Sequence, residues 1–218
     1  MRLGILGGTF DPIHFGHLRL AEEMCEEMEL EKIYLIPGAL PPHKRKQPVT
    51  PFSDRLAMTA SAAEDSPFLD AFDLEGRRQG MSYSIETLKE FHQLFKPDLE
   101  LFFLIGADAF LEIKTWKEFG SLFDHSNFVV MKRPGFPVKE LESFVLSLGV
   151  GLRPGEGKNT FISPSGNLLI YKEAAFMDIS STSIRGMVTQ GRSIRFLVPG
   201  SVRSYILKKG LYKKHGNY

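Results

Sequence analysis

Short apolar runs alternate with longer stretches of helical periodicity along most of the chain. The run at 99–106, LELFFLIG, is apolar almost throughout, as is typical of a strand buried on both faces of a parallel sheet. Between such runs, apolar residues recur at intervals of three and four, which indicates helices that pack on one side. The pattern predicts strands over 2–6, 32–36, 68–72 and 99–106, a further strand that ends in a turn within 127–135, and helices over 15–28, 54–64, 85–95 and 137–148.

The order of these elements predicts an α/β fold in one domain, residues 1–218. Alternating strands and helices require crossover connections, which produce a largely parallel sheet. Two shorter strands are expected within 159–172, and helices over 180–190 and 199–209 make the C-terminal part helical. Among the serines near helix starts, Ser53 is the expected cap of the helix at 54–64, and Ser82 or Ser84 of the helix at 85–95.

Unusual residue combinations follow the predicted strands directly. GGTFDPIHFGH follows the first strand and PGALPPHK the second, while GAD and KRPG follow two later strands. Ligands of open α/β sheets bind at the carboxyl ends of the strands, near the point where the strand order reverses. The four segments are therefore predicted to meet in one binding site.

The stretch at 7–17 has the residue types of a phosphate site. Gly7 and Gly8 allow the backbone to approach a ligand closely, and a helix that begins near His14 would present its free amides to an anion. His14 and His17 are three residues apart, so both project from one side of the first turn. The same pair could instead bind a metal ion or simply lie in a surface turn, but no third ligand is near in sequence. The stretch is neither a Walker loop nor a dinucleotide fingerprint.

Composition and charge narrow the choice of partners. With 27 basic and 26 acidic residues the net charge is +1, so no global field indicates a nucleic acid or a membrane. The single cysteine, Cys25, excludes an internal disulfide and a cysteine-built metal site. No apolar stretch approaches the roughly 18 residues of a membrane span, and the N-terminal apolar run is too short for a secretory signal. A cytoplasmic protein is expected.

Together the motifs resemble those of the nucleotidyltransferase superfamily, and they are most similar to the bacterial nicotinate mononucleotide adenylyltransferases. GGTFDPIHFGH resembles the superfamily signature. Further family-like segments follow in the family's order: PPHK at 41–44, SYS at 82–84, GADAF at 106–110, Trp116, RPG at 133–135 and ISSTSIR at 179–185. Ser84 stands where a threonine is common, and Lys117 occupies a position where the family varies. The resemblance implies a Rossmann-like, doubly wound parallel sheet of the nucleotidyltransferase type.

The implied reaction joins ATP and nicotinate mononucleotide to give nicotinate adenine dinucleotide (deamido-NAD) and pyrophosphate, a step of NAD biosynthesis. The nucleophile is a phosphate oxygen, already ionised because the second pKa of a phosphate monoester is about 6, so no general base is needed. The reaction needs positioning, and positive charge on the α-phosphate and the departing pyrophosphate. Mg²⁺ carried with ATP is the expected cofactor, with no metal ligands in the protein, and a homo-oligomer is left open.

The resemblance assigns site residues in three groups. The expected catalytic residues are His14, His17 and Arg185. The expected ATP- and phosphate-binding residues are Gly8, Thr9, Phe10, His43, Lys44, Gly106, Asp108, Arg133, Ser180 and Ser181. The expected nicotinate-binding residues are Tyr83, Ser84, Trp116 and Lys117, with the indole stacked on the pyridine ring and backbone amides near Ser84 and Lys117 holding the carboxylate.

Several of these residues also have a purely structural interpretation. A lone tryptophan is often a core anchor, serines at a helix start are usually caps, and Asp108 could cap the short helix that follows it, besides binding the ribose hydroxyls. For the whole chain, the alternatives are a sibling transferase acting on nicotinamide mononucleotide or another phosphomonoester, and a nucleotide-binding module without catalysis. A class I aminoacyl-tRNA synthetase fragment shares the H-x-G-H element, but the chain lacks an anticodon-binding domain and a KMSKS-like loop.

Overall fold

The computed structural model describes residues 1–40, 49–95, 98–133, 135 and 137–213. One mixed sheet of eight strands runs through this part of the chain, in the order β3-β2-β1-β4-β5-β8-β7-β6. The strands are β1 (Arg2–Gly8), β2 (Lys32–Pro37), β3 (Leu69–Ala71), β4 (Glu100–Gly106), β5 (Asn127–Lys132), β6 (Arg153–Pro154), β7 (Thr160–Ile162) and β8 (Leu168–Glu173). The first five strands and β8 pair in parallel, and β6 and β7 complete one edge in antiparallel fashion.

Helices cover both faces of the sheet. They are α1 (Phe15–Glu27), α2 (Phe52–Ala63), α3 (Ser84–Leu94), α4 (Ala107–Leu111), α5 (Phe119–His125), α6 (Val138–Leu146), α7 (Ser181–Thr189) and α8 (Gly200–Lys209), with 3₁₀ turns at Leu74–Arg77 and Ile113–Thr115. No helix in the described ranges is long and apolar enough to cross a membrane.

Two clusters of buried apolar side chains lie on opposite faces of the sheet, because successive residues of a strand point to opposite faces. In β4, Phe102 and Leu104 join one cluster, with residues of α1, α2, α7 and α8. Leu101, Phe103 and Ile105 of the same strand join the other, with residues of α3, α5 and α6. Burial on both faces explains why this strand is apolar almost throughout, and it confirms the predicted doubly wound α/β sheet.

The predicted helix caps at Ser53, Ser82 and Ser84 are wrong. Helix α2 begins at Phe52 after Pro51, and α3 begins at Ser84 with Tyr83 at the N-cap position; neither helix has a side-chain cap. The short helix expected after Asp108 is α4, whereas the 3₁₀ turn at Ile113–Thr115 and helix α5 were not predicted from the sequence.

The strand order reverses between β1 and β4. From this pair the chain builds outwards through β2 and β3 in one direction and through β5 and β8 in the other. The carboxyl ends of β1, β2 and β4 therefore border a crevice, which is where open α/β sheets bind ligands.

Candidate active site

A pocket of about 370 Å³ occupies this crevice. Its walls come from the carboxyl ends of β1, β2 and β4, the 3₁₀ turn at Leu74–Arg77, the segment that leads into α3, and α4 with the stretch that follows it. The lining residues are Leu6, Gly7, Gly8, Thr9, Ile36, Gly38, Glu75, Ser82, Tyr83, Ser84, Phe103, Leu104, Ile105, Gly106, Ala109, Thr115, Trp116 and Lys117. Three of the four segments that follow predicted strands, and the SYS segment, thus meet at one place.

The turn between β1 and α1, residues 8–14 and hereafter the signature loop, is tightly packed. Phe10 has a φ of 48°, in the left-handed region, and its ring is 2% exposed. A Cβ on Gly8 would lie 2.6 Å from Phe10 Cε1, so glycine is required there by close approach. Because the Phe10 ring is buried, a phosphate contact by this residue would have to come from its backbone.

The two histidines stack against each other at the start of α1. Their ring centroids lie 3.7 Å apart, and the Phe10 ring meets His17 edge-on at 5.0 Å. The backbone N–H of His14 donates to Nδ1 of His17 at 3.3 Å. Since Nδ1 accepts, the neutral His17 ring carries its proton on Nε2, which makes that atom a donor.

Burial keeps both histidines uncharged near neutral pH. Loss of solvation lowers the pKa of His14 to about 4 and that of His17 to about 3, and the neighbouring His14 adds to the shift at His17. In the free protein the pair therefore offers neutral N–H donors rather than cations.

The four residues expected at the nicotinate ring all line the pocket. Ser84 is the first residue of α3, and the first N–H groups of a helix have no partner inside it. Trp116 meets Phe103 edge-on at a centroid distance of 6.1 Å. The Lys117 ammonium lies 4.7 Å from the Tyr83 ring centroid and donates to Glu86 Oε1 at 2.6 Å. Exposed helix amides and an aromatic wall can accept a planar ring with an anionic substituent.

The N-terminus of α7 is bound to the signature loop. Ser180 caps the helix by accepting from the backbone N–H of Ser183, so the structural interpretation applies to this serine. Ser181 Oγ donates to the Pro12 carbonyl at 2.8 Å, and Arg185 Nη1 donates to the Asp11 carbonyl at 2.7 Å. These contacts place the ISSTSIR segment beside the histidines, and they occupy part of its hydrogen-bonding capacity.

Of the remaining predicted site residues that the structure describes, Gly106 lines the pocket, whereas Asp108 and Arg133 do not. Gly106 lines the pocket and precedes α4 as its N-cap, so Asp108 lies within the first turn of that helix, is exposed and does not cap it. Arg133 is exposed and stacks at 5.4 Å over the Phe176 ring, outside the pocket lining. His43 and Lys44 lie outside the described residues. Among the residues that the structure describes, no group of three or more His, Cys, Asp or Glu could hold a metal ion.

Sequence reasoning missed three residues around the signature loop and one in the pocket. Asp11 of the loop and Arg55 are buried, and Tyr212 is half-buried. Arg55 donates to the Thr9 carbonyl of the loop, and Asp11 accepts from Thr50 and Tyr212. Glu75 lines the pocket, where its carboxylate accepts from Thr87 Oγ1 at 2.8 Å. A signal existed for Arg55, since it shares the apolar face of the predicted helix with Met58 and Ala62.

The chain is similar to nucleotidyltransferases in sequence and in fold. A cytidylyltransferase-like family model matches residues 5–187. The solved structure of the nicotinic acid mononucleotide adenylyltransferase of Plasmodium falciparum complexed with NaAD superposes with a TM-score of 0.73 at 21% identity, over 97% of each chain. The fold, with its pocket at the strand-order reversal, is that of a nucleotidyltransferase.

Relatives of higher sequence identity show to which family of nucleotidyltransferases the chain belongs. A protein of Syntrophotalea carbinolica, named probable nicotinate-nucleotide adenylyltransferase, is 45% identical over 214 residues, which are 98% of each chain. A protein of the same name from Desulfitobacterium hafniense strain Y51 is 45% identical over 97% of this chain and 96% of its own. The chain belongs to the nicotinate-nucleotide adenylyltransferase family, which confirms the resemblance seen in its motifs.

Proposed function

We propose that the chain transfers the adenylyl group of ATP to nicotinate mononucleotide, giving deamido-NAD and pyrophosphate, a step of NAD biosynthesis. The observation that carries the proposal is the shared pocket. Gly8 and Thr9 of the signature loop line it, and so do Ser84, Trp116 and Lys117. A phosphate-binding loop and a ring-binding wall thus face the same space, as a reaction between two nucleotides requires.

The chemistry requires little covalent participation by the protein. A phosphate oxygen of the mononucleotide attacks the α-phosphorus of ATP, and the bond to the bridging oxygen breaks, its electron pair leaving with pyrophosphate. No proton has to move, so the residues have only to align the two phosphates and stabilise the developing charge. We assign charge stabilisation to Nε2–H of His17, the adjoining His14 and the guanidinium of Arg185, with the loop amides and the α7 N-terminus as further donors.

The nicotinate half is assigned to the wall beside α3. The amides near Ser84 and Lys117 would donate to the carboxylate, and the positive end of the α3 dipole would favour that charge. The Trp116 indole would stack on the pyridine ring. Asp108 remains our candidate for the ribose hydroxyls of ATP.

A divalent cation is proposed to enter as the Mg²⁺ complex of ATP, because side chains alone do not neutralise a triphosphate. The cation thus belongs to the substrate, and it would add positive charge at the phosphates that are leaving. The cytoplasmic location stays a prediction, and the oligomeric state stays open.

Pyrophosphate release tests the proposal. The purified chain is mixed with ATP, Mg²⁺ and, in separate reactions, nicotinate mononucleotide, nicotinamide mononucleotide or phosphopantetheine. We expect the highest kcat/KM with nicotinate mononucleotide and deamido-NAD as the product. A higher value with another acceptor would establish a sibling transferase, and ATP binding without any pyrophosphate release would establish a non-catalytic module.

A further inference from the structure

A polar cluster of two buried residues and one half-buried residue lies against the signature loop and outside the pocket lining. It consists of Asp11, Arg55 and Tyr212, of which only Asp11 belongs to the loop. We infer that Tyr212 is a positioning residue for adenylyl transfer: it fixes the signature loop through Asp11 without touching substrate. The inference rests on the proposed function.

Arg55 connects three backbone segments at this place. Its guanidinium is 1% exposed and donates to four carbonyl oxygens. The acceptors are Thr9 at 2.8 Å, Gly38 at 2.7 Å, Ala39 at 3.3 Å and Thr50 at 2.8 Å. The signature loop and the backbone after β2 are therefore held by one planar cation.

Asp11 supplies the negative charge that this buried cation needs. Burial lowers the pKa of Arg55, and the charge of Asp11 acts against that shift. The Asp11 carboxylate accepts from the Thr50 N–H at 3.3 Å, so Asp11 and Arg55 bind the two ends of the same residue. Rotation of this carboxylate would disturb the loop and the Arg55 contacts together.

Tyr212 fixes the other carboxylate oxygen. Its hydroxyl donates to Asp11 Oδ1 at 2.7 Å, and burial beside Asp11 raises the pKa of Tyr212, so the hydroxyl keeps its proton. The Tyr212 carbonyl in turn accepts from Thr189 Oγ1 at 2.8 Å, on the last residue of α7. Helix α7 also reaches Asp11 directly, through Arg185. The signature loop, α7 and Tyr212 are therefore each hydrogen-bonded to the other two.

This arrangement predicts a selective effect on turnover. The same loop ends in His14 and leads into His17, and displacements of less than 1 Å at reacting groups lower rates strongly. The residues expected at the nicotinate ring lie on other segments, so the binding of nicotinate mononucleotide should be unaffected. Removing the Tyr212 hydroxyl should lower kcat roughly 10-fold with KM for nicotinate mononucleotide unchanged.

The chain provides a matched control. Tyr205 also donates to an aspartate, Asp54 Oδ1, at 2.7 Å, and also ties the C-terminal part to the N-terminal half, but Asp54 lies in α2 rather than in the signature loop. Tyr212→Phe and Tyr205→Phe each delete one such hydrogen bond. We expect both to fold, and only Tyr212→Phe to lower kcat and to speed backbone amide exchange over residues 7–14.

Equal kcat in the two variants, or unchanged amide exchange over residues 7–14 in Tyr212→Phe, overturns the inference. A fall in kcat of equal size in both variants would do the same, since it would show a general loss of packing. If the parent chain makes no deamido-NAD, the proposed function fails, and amide exchange alone decides whether Tyr212 holds the loop.

Discussion

Selection of nicotinate over nicotinamide should depend on two backbone N–H groups, of which proline can remove the one at Ser84. Ser84 is the first residue of α3, where the N–H has no intrahelical acceptor and proline is well tolerated. The preceding residue, Tyr83, has φ −107° and ψ 129°, the extended conformation that a following proline requires. Ser84→Pro therefore deletes the donor and leaves the helix intact, while Ser84→Ala deletes only the hydroxyl.

The expected size follows from the hydrogen bond that is lost. A carboxylate accepts from the N–H groups near both Ser84 and Lys117, whereas a carboxamide must set its NH₂ against one of them. A buried donor left unpaired costs about 1–3 kcal/mol. That penalty corresponds to roughly 5- to 150-fold in kcat/KM. We therefore expect the parent to prefer nicotinate mononucleotide by about this factor or more, with the carboxylate charge adding to it.

Steady-state kinetics with both mononucleotides would measure the effect as a ratio. Ser84→Pro should reduce kcat/KM for nicotinate mononucleotide far more than for nicotinamide mononucleotide, so that the ratio falls about 10-fold or more. Ser84→Ala should keep the parental ratio. If Ser84→Pro has a parental melting temperature and a parental ratio, the N–H of Ser84 does not read the pyridine substituent and the assignment of this wall is wrong.

Four further changes test the rest of the site. His17→Ala should lower kcat roughly 10²–10³-fold at pH 7. Burial lowers the pKa of His17 to about 3, so below about pH 6.5 the unfolded chain binds more protons than the folded one, and the folded state loses stability as the pH decreases. In urea titrations, the fall in the free energy of unfolding from pH 7 to pH 5 should therefore be smaller in His17→Ala than in the parent, by roughly 1–2 kcal/mol. Excess chelator should abolish pyrophosphate release and added Mg²⁺ restore it; activity that survives chelation would contradict the ATP-borne cation. Gly8→Ala, whose methyl meets the Phe10 ring at 2.6 Å, should destabilise the fold by about 1–3 kcal/mol in urea unfolding, whereas Gly7→Ala, with no atom within 4 Å, should not. Trp116→Ala should lower kcat/KM for nicotinate mononucleotide more than Ser84→Ala, and equal kinetics of the two variants would exclude stacking on the indole.

The central strands could be predicted from sequence because burial on both faces imposes a continuous apolar run. That signal is strongest for β4. It is weakest at the edge of the sheet, where β6 is only two residues long and too short to show an apolar run. The 3₁₀ turn at Ile113–Thr115 and helix α5 were missed because both are too short to show periodicity. The helix caps were mispredicted because the expectation followed the preference of serine for the N-cap position. Pro51 and Tyr83 occupy the N-cap positions of α2 and α3 instead.

The placement of the signature loop and the SYS segment in one crevice was predictable, because parallel strands end at the same edge of the sheet. Side-chain direction was not. Arg133 follows β5 as expected, yet its guanidinium stacks on Phe176, a residue far away in sequence. Asp11 and Tyr212 are 201 residues apart, and no local pattern marks such a pair. A local pattern indicates which edge a residue reaches, but its partners depend on the tertiary packing.

The two uncharged histidines indicate how the positive charge of the site is divided. A triphosphate needs positive charge, yet burial keeps His14 and His17 neutral in the free protein. Neutral N–H dipoles that are already aimed need not reorganise during the reaction, which is the condition for effective electrostatic stabilisation. The full charges would then come from Arg185 and from the cation that ATP carries. We therefore expect the two histidines to donate to the phosphates as a neutral pair whose geometry is already set in the free protein.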